Sequence, residues 1–265
     1  MEYEKMNLEI EEGVAILTLN NPDKLNALST KMWEDIRLAL DEVHGNDEVN
    51  VFVITGTGRA FCSGSDVGGR LAVKMEGGGS KPTQAELLEG TGYVAHWFRK
   101  LDVPIIAAIN GVAAGAGLSM TLLSDIRIAS EVARFSAVWV RVGLIGDLGA
   151  TWLLPRAVGA SKAIEMLCTG DMYSAQEALE MGLVSKVVPP DELMPTVNEM
   201  AVKIAKGPSV AIKFAKRAVY RSFHNDFVGQ LDFESFGQGV CRGTEDHREG
   251  VRAFMEKKEA KFKGF

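Results

Sequence analysis

The stretch that decides the fold begins with Pro104-Ile-Ile-Ala-Ala-Ile-Asn110 and continues into Gly111-Val-Ala-Ala-Gly-Ala-Gly117. The first run is short and apolar, which predicts a buried strand, and the glycine-rich run predicts a tight turn. A helix is predicted from Leu118 to about Ser124, and a second strand over residues 125–129. A strand, a glycine turn and a helix start place free backbone N–H groups at one point. Such a point favours the binding of negative charge.

A carboxylate follows this turn a short way along the chain. The segment Trp139-Val-Arg-Val-Gly-Leu-Ile-Gly-Asp-Leu-Gly149 places Asp147 on a second glycine-flanked turn. Backbone donors for a developing negative charge, together with one acid/base group, are the minimum for chemistry next to a carbonyl. The two turns therefore predict a catalytic site.

Composition excludes several classes of protein. The 265 residues suffice for one large domain, or for a core with a smaller appendage. A hydrophobic fraction of 46% and a charged fraction of 24% are typical of a globular protein in water. The net charge is −6 and no long basic run occurs, so nucleic acid is not an expected partner. No apolar run approaches the ~18 residues that a membrane span needs, so no membrane partner is expected either.

The cysteines indicate the compartment. Cys62, Cys168 and Cys241 are far apart and odd in number, and they lack metal-ligand spacing. This pattern predicts no disulfide framework and no metal site. The N-terminal residues lack the apolar core of a signal peptide. We therefore expect a reducing compartment and a cytoplasmic protein.

Strand and helix signals alternate through most of the chain and then become wholly helical. Predicted strands are a hairpin over 6–20, a buried strand over 51–55 and a strand over 183–188. Before residue 190, Ser29 is predicted to cap a helix over residues 30–44, and helical runs are predicted near 152–155 and 161–168. Two capping boxes predict further helices: Thr83-x-x-Glu86 begins one that ends at about Leu101, and Ser174-x-x-Glu177 begins one that ends at Gly182. Helices are predicted over 191–206, 208–222, 226–241 and 246–262. This order indicates an α/β core over 1–190 and a helical region over 191–265.

Several segments together resemble one family. Ala60-Phe-Cys-Ser-Gly-Ser-Asp66, residues 109–117 with Ser124-Asp-Ile126, and residues 143–149 occur in the order seen in the crotonase (enoyl-CoA hydratase/isomerase) superfamily. Leu25-Asn-Ala-Leu28 and residues 253–258 also look like that family, so the match covers essentially the whole chain. The resemblance implies a spiral of ββα units with a C-terminal helical trimerisation region, and a homotrimer or a dimer of trimers. It also implies an acyl-CoA thioester substrate, whose coenzyme A is part of the substrate, and no separate cofactor.

The resemblance also implies roles for particular residues. The oxyanion hole would be the N–H groups of Ser65 and Ala116, and the latter stands where the family usually has glycine. Only the N–H is needed, and a helix start places it at the positive end of the helix dipole. The implied coenzyme A-binding residues are Lys24, Asn26, Ala27, Leu28, Ala60, Ser63, Gly64, Asp66, Val67, Phe254 and Lys257. The implied substrate-binding residues are Trp139, Ser119, Gly117, Leu144 and His96.

The departures from the family pattern indicate the reaction. A typical hydratase of the family has two glutamates, but these motif positions hold Ser119 and Trp139. Asp147 lies where dienoyl-CoA isomerase and ring-1,2-epoxyphenylacetyl-CoA isomerase keep a catalytic aspartate, and residues 143–156 resemble the ring-epoxide isomerase most. One carboxylate suffices for isomerisation, because it removes a proton from one carbon of an enolate system and returns it to another. We therefore expect an isomerase that works through an enolate.

Other interpretations stay open at this point. In 4-chlorobenzoyl-CoA dehalogenase, a tryptophan and an aspartate occupy these two positions, and the aspartate is the nucleophile. That enzyme also needs a histidine base, but the aligned position is Gly92 and His96 lies one turn further on. A hydratase with Asp147 as its sole acid/base, a thioester hydrolase, and an inactive acyl-CoA-binding scaffold are further alternatives. Asp147 could also simply cap a helix that starts at Leu148, and Ser119 could be a small filler.

Overall fold

The computed structural model describes residues 3–66 and 92–265. The predicted capping box at residues 83–86 and the predicted coenzyme A contact of Val67 lie outside these ranges. The strands of the described part are β1 Met6–Glu11, β2 Val14–Leu19, β3 Val51–Gly56, β4 Ala60–Cys62, β5 Ile105–Ile109, β6 Val112–Ala114, β7 Ile126–Ser130, β8 Arg134–Ser136, β9 Met172–Ser174 and β10 Lys186–Val188. Its α-helices are α1 Thr30–His44, α2 Gly92–Lys100, α3 Ala116–Leu123, α4 Ala150–Val158, α5 Ala160–Thr169, α6 Ala175–Glu180, α7 Leu193–Ala205, α8 Ser209–Arg221, α9 Phe227–Arg242 and α10 Glu245–Glu256.

The strands form two sheets. The larger has the order β1-β2-β3-β5-β7-β10, and the smaller has the order β4-β6-β8-β9. Only the β1–β2 and β8–β9 pairs are antiparallel among these described strands; the other pairs are parallel. The chain passes from β3 to β4, from β5 to β6 and from β7 to β8, so each pair contributes one strand to each sheet. This topology confirms the α/β class and the repeated ββα unit.

The longer elements agree with the sequence patterns, and the shorter ones do not. The hairpin, the α1 helix with Ser29 as its N-cap, and the capping box of Ser174 and Glu177 are confirmed. The last helix was predicted to reach residue 262 but ends at Glu256, because Lys257 takes a left-handed conformation with φ 54°. The three-residue strands of the smaller sheet lie in segments for which the sequence predicted turns or no element.

The helical C-terminal region is joined to the larger sheet at two places. The first helix after residue 190, α7, buries Leu193, Val197 and Ala201 against the sheet. On α8, the ammonium group of Lys216 lies 2.8 Å from a carboxylate oxygen of Asp125, and both side chains are mostly buried. Burial lowers the pKa of Lys216, and the nearby carboxylate opposes that shift. None of the described helices is long and apolar enough to cross a membrane.

Candidate active site

The start of helix α3 presents backbone N–H groups that make no hydrogen bond within the helix. Gly115 is its N-cap with φ 52° and ψ −125°, a conformation that a residue with a side chain rarely adopts. No side chain caps this end within the described residues. The first intrahelical bond runs from the Ser119 N–H to the Gly115 carbonyl oxygen at 3.0 Å. The N–H of Ala116 precedes this bond, so it is available to an anion at the positive end of the helix.

The loop that follows β4 lies beside this helix start. A Cβ atom added at Gly64 would lie 3.7 Å from the Ala116 nitrogen. A parallel β-bridge pairs Leu28 with Ser65, formed by hydrogen bonds from Leu28 N–H to the Gly64 oxygen and from Asp66 N–H to the Leu28 oxygen. In such a bridge the flanking residues make the bonds, so the N–H of Ser65 itself points away from the Leu28 segment. The loop that carries Ser65 therefore lies next to the helix start that carries Ala116.

The predicted coenzyme A residues of the two early loops mostly bind one another. The Lys24 ammonium group lies 2.9 Å from the Asp66 carboxylate, and the Ser63 N–H donates to the Leu25 oxygen at 3.0 Å. The Ala27 N–H donates to the Lys24 oxygen at 3.0 Å. These contacts fix the loop at residues 63–66 against the loop at residues 24–28. Coenzyme A binding by these residues stays a prediction.

Asn26 has a structural function that the sequence did not indicate. Its side chain is fully buried; the oxygen accepts from the Asn21 N–H at 2.8 Å and the amide donates to the oxygens of Ala60 and Thr57. Because these polar atoms are used inside the protein, the side chain of Asn26 is not available to a ligand. The side chains of Leu28 and Ala60 are also fully buried. None of these three residues exposes its side chain to a ligand in this structure, and their contact with coenzyme A stays a prediction.

Asp147 contacts helix α3, the helix that begins with Ala116. It lies in an irregular segment after a 3₁₀ helix at Val138–Val142, and it is half-buried. The Ser119 hydroxyl donates to its carboxylate oxygen Oδ1 at 3.1 Å and also lies 3.1 Å from its main-chain oxygen. Ser119 follows Ala116 by three residues, so both lie on one face of α3. The acid/base candidate and one oxyanion donor are thus attached to a single helix.

Asp147 is not the N-cap of the helix that follows it. Helix α4 begins at Ala150 with Gly149 as its N-cap, and the main-chain oxygen of Asp147 accepts from the Ala150 N–H at 2.8 Å. The intervening residue, Leu148, has φ 51°, which is uncommon for a residue with a branched side chain. Strained backbone of this kind persists where surrounding contacts hold it, and it is concentrated at functional sites.

Two further side chains, those of Trp139 and Cys62, lie beside the turn at Gly64–Ser65 and the start of helix α3. Trp139 is buried, and its indole nitrogen would lie 3.9 Å from a Cβ atom added at Gly115. Cys62 is fully buried, and its sulfur accepts a hydrogen bond from the Gly64 N–H at 3.4 Å. Burial raises the pKa of the Cys62 thiol to about 12, the Gly64 hydrogen bond opposes this, and the charge of Asp147 raises it further. Cys62 therefore remains a neutral thiol beside the turn.

The different exposure of Cys62 and Cys168 predicts different reactivity of their thiols. We expect iodoacetamide at pH 8 to alkylate Cys168, which is exposed, while Cys62 stays unmodified until the protein unfolds. The thiolate is the reactive species, and burial suppresses both its formation and its access. Peptide mass spectrometry with and without denaturant measures both sites in one sample. Equal labelling rates for Cys62 and Cys168 in the folded protein would contradict the assignment.

Gly117 is a packing residue. A Cβ atom added there would lie 2.0 Å from the carbonyl oxygen of Cys62, so its Cα faces the β4 backbone. Glycine is therefore needed for helix α3 to approach the strand, and contact of Gly117 with a substrate stays a prediction.

His96 lies on the exposed face of helix α2. Val94 and Phe98 bury one face of α2 in the core, and His96, which lies between them in sequence, is exposed on the opposite face. Contact of His96 with a substrate, and the dehalogenase alternative that needs a histidine base, stay predictions.

Other predicted residues lie at the surface. Leu144 is 49% exposed in the irregular segment before Asp147, where an apolar substrate could cover it. Phe254 is 87% exposed and Lys257 is exposed. Phe254 lies in helix α10 and Lys257 is the C-cap of that helix, which packs on α9. Their contact with coenzyme A stays a prediction.

The α/β fold and its candidate site, a helix start beside a loop with the Asp147 carboxylate bonded to the same helix, are those expected of an enzyme. Comparison with known proteins agrees with this class. The family model Enoyl-CoA hydratase/isomerase matches residues 9–264. The chain belongs to the enoyl-CoA hydratase/isomerase family, whose fold is the crotonase fold.

Individual relatives carry different activities in their names. A 1,2-epoxyphenylacetyl-CoA isomerase of Escherichia coli K12 is 35% identical over 96% of this chain and 97% of its own. A short-chain-enoyl-CoA hydratase of Clostridium acetobutylicum is 37% identical over 100% of this chain and 99% of its own. The crystal structure of an enoyl-CoA hydratase from Bacillus anthracis has a TM-score of 0.90 at 31% identity, covering 99% of this chain and 100% of that one.

Proposed function

We propose that this protein is an acyl-CoA isomerase that shifts a double bond or rearranges a ring through an enolate. The observation that carries the proposal is the Asp147 carboxylate, which accepts a hydrogen bond from Ser119 on helix α3, the helix that begins with Ala116. The two positions at which hydratases of the family have glutamates hold a serine and a buried tryptophan. One carboxylate can move one proton between two carbons, and it needs no second acid.

The proposed mechanism uses three groups. The N–H groups of Ser65 and Ala116 bind the thioester oxygen, and they stabilise the negative charge that develops as the enolate forms. Each such donor typically contributes ~10²–10³ in rate. Asp147 removes a proton from one carbon and returns it to another, so the substrate and product have equal mass. Trp139 forms an apolar wall beside the reacting carbons. The proposed step uses no cofactor besides the coenzyme A of the substrate.

The second candidate is an enoyl-CoA hydratase in which Asp147 alone transfers the protons. It is favoured by the names of the relatives, among which hydratases predominate. The isomerase is favoured by the residues at positions 119 and 139 and by the isomerase relative from Escherichia coli. The two reactions differ by one water in the product.

The test is a screen of the purified protein against crotonyl-CoA, a 3-enoyl-CoA, a dienoyl-CoA and aromatic acyl-CoA thioesters. We expect a product of unchanged mass and altered absorbance from at least one of the last three. A product that gains one water and carries solvent oxygen would establish the hydratase instead. A covalent adduct on Asp147 would indicate dehalogenation, and release of free coenzyme A would indicate hydrolysis. Binding without turnover of any thioester would indicate a scaffold.

We also propose that the protein is a homotrimer or a dimer of trimers in the cytoplasm. Helix α9 carries exposed apolar side chains at Phe227, Val228, Leu231, Phe236 and Val240. A surface of this kind favours association with further copies. The three cysteines are free thiols, which agrees with a reducing compartment. Light scattering is expected to give three or six times the chain mass of 28.7 kDa; one chain mass at micromolar concentration would overturn the trimer.

A further inference from the structure

Ser119 makes an unusual contact for a buried helical serine. Its side chain is fully buried on α3, and its hydroxyl reaches out of the helix to the Asp147 carboxylate at 3.1 Å. Two other buried hydroxyls in or next to helix α3 donate to main-chain oxygens three or four residues earlier in the chain. Thr121 donates to the Leu118 oxygen at 2.7 Å, and Ser124 donates to the Met120 oxygen at 3.1 Å. Local bonding is the usual choice for a serine in a helix, so a space-filling function does not explain Ser119.

The contact bears on a segment that has little regular structure of its own. Residues 144–147 have no helical or strand pairing, and Leu148 lies in the left-handed region. The hydroxyl of Ser119 lies 3.1 Å from both the main-chain oxygen and a carboxylate oxygen of Asp147. The buried hydroxyl of Ser119 therefore lies within hydrogen-bond distance of both the backbone and the side chain of Asp147. Hydrogen bonds to a charged carboxylate are stronger than those between neutral groups.

We propose that Ser119 is a positioning residue that fixes the Asp147 carboxylate at a set distance from the Ala116 N–H. The inference rests on the proposed function, in which Asp147 moves the proton and the Ala116 N–H binds the thioester oxygen. Ala116 and Ser119 are three residues apart on one rigid helix, so their separation cannot vary as that between two loops can. The carbon that loses its proton adjoins the thioester carbonyl, and the base must stay within hydrogen-bond reach of that proton.

The test compares three substitutions of Ser119 with a matched control. Ser119→Ala removes the hydroxyl, Ser119→Cys keeps a similar volume with a weak donor, and Ser119→Thr keeps the hydroxyl. Ser124→Ala removes another buried serine hydroxyl from the end of the same helix and does not touch Asp147. Circular dichroism and the melting temperature of each variant report whether it folds.

We expect Ser119→Ala and Ser119→Cys to lower kcat by ~10–10²-fold, because small displacements of a catalytic group cost this much. KM should stay within ~3-fold, since a positioning residue does not bind the thioester. Ser119→Thr should retain most of kcat, and Ser124→Ala should match the unmodified protein. In an Asp147→Asn background, Ser119→Ala should cause no further loss, because both changes act on the same group.

The outcomes separate this inference from the proposed function. Full turnover in Asp147→Asn would overturn the proposed function. A large loss in Asp147→Asn with unchanged kcat in Ser119→Ala would overturn only the positioning role. An equal loss from Ser119→Ala in the presence and absence of the Asp147 carboxylate would also overturn it, since the effect would then be structural. If Ser119→Thr does not fold because of its added methyl group, this double-mutant comparison decides the question.

Discussion

Asp147→Asn is expected to lower kcat by ~10²–10⁴-fold, the contribution typical of general acid–base catalysis. The substitution keeps the size of the side chain and leaves an oxygen that can accept from the Ser119 hydroxyl, which now donates to Asp147 at 3.1 Å. An amide does not take up a proton near neutral pH, so the transfer step fails while the fold persists. The measurement is the turnover of the thioester identified in the screen, together with the melting temperature.

A matched control comes from the surface of the same region. Asp171→Asn removes an exposed carboxylate whose recorded partner is Arg141 at 3.4 Å. Exposed ion pairs contribute little to stability, so this variant should keep both turnover and melting temperature. Wild-type turnover in Asp147→Asn would disprove the mechanism, whereas a loss in both variants would point to a general electrostatic effect.

Gly117→Ala is expected to destabilise the protein more than any surface substitution. The added Cβ atom would lie 2.0 Å from the Cys62 carbonyl oxygen and 2.8 Å from its carbonyl carbon, and neither can rotate away. Helix α3 must therefore move from β4, which separates the Ala116 N–H from the Gly64–Ser65 loop. Overpacking costs about 1–3 kcal/mol or more, and a clash with backbone belongs at the upper end. A cost of about 3 kcal/mol lowers the melting temperature by about 6–12 °C in a chain of this size.

Gly239→Ala provides the comparison for this experiment. Gly239 lies within α9, and no atom lies within 4 Å of the position that its Cβ would occupy. Alanine is the better helix former by about 1 kcal/mol, so this variant should melt at the same temperature or higher. Thermal unfolding followed by circular dichroism measures both variants. An unchanged melting temperature in Gly117→Ala would mean that the helix and strand are not in close contact.

The candidate site shows how far the sequence predicts which segments lie close together, while the roles of its residues stay predictions. The Ser65 and Ala116 segments were predicted to provide backbone donors, and the structure brings their loops together. Asp147 was predicted as the acid/base, and it accepts a hydrogen bond from Ser119 on helix α3, which begins with Ala116. These predictions rest on glycine turns next to strands and helix starts, which are local features with a clear sequence signature. The role of His96 stays a prediction, and its exposed position was not evident beforehand because helical spacing alone does not identify which face meets the core.

Local patterning determined the strands of the larger sheet, the long helices and the positions of the two glycine-flanked turns, because apolar periodicity and capping residues act over a few neighbouring positions. Tertiary structure decided the rest. The three-residue strands of the smaller sheet exist only through pairing, since each is too short to show a period. The hydrogen bond from Ser119 to Asp147 joins residues 28 positions apart. Whether a buried hydroxyl bonds to its own helix or to a carboxylate distant in sequence depends on which segments meet, and that is set by the packing of the whole chain.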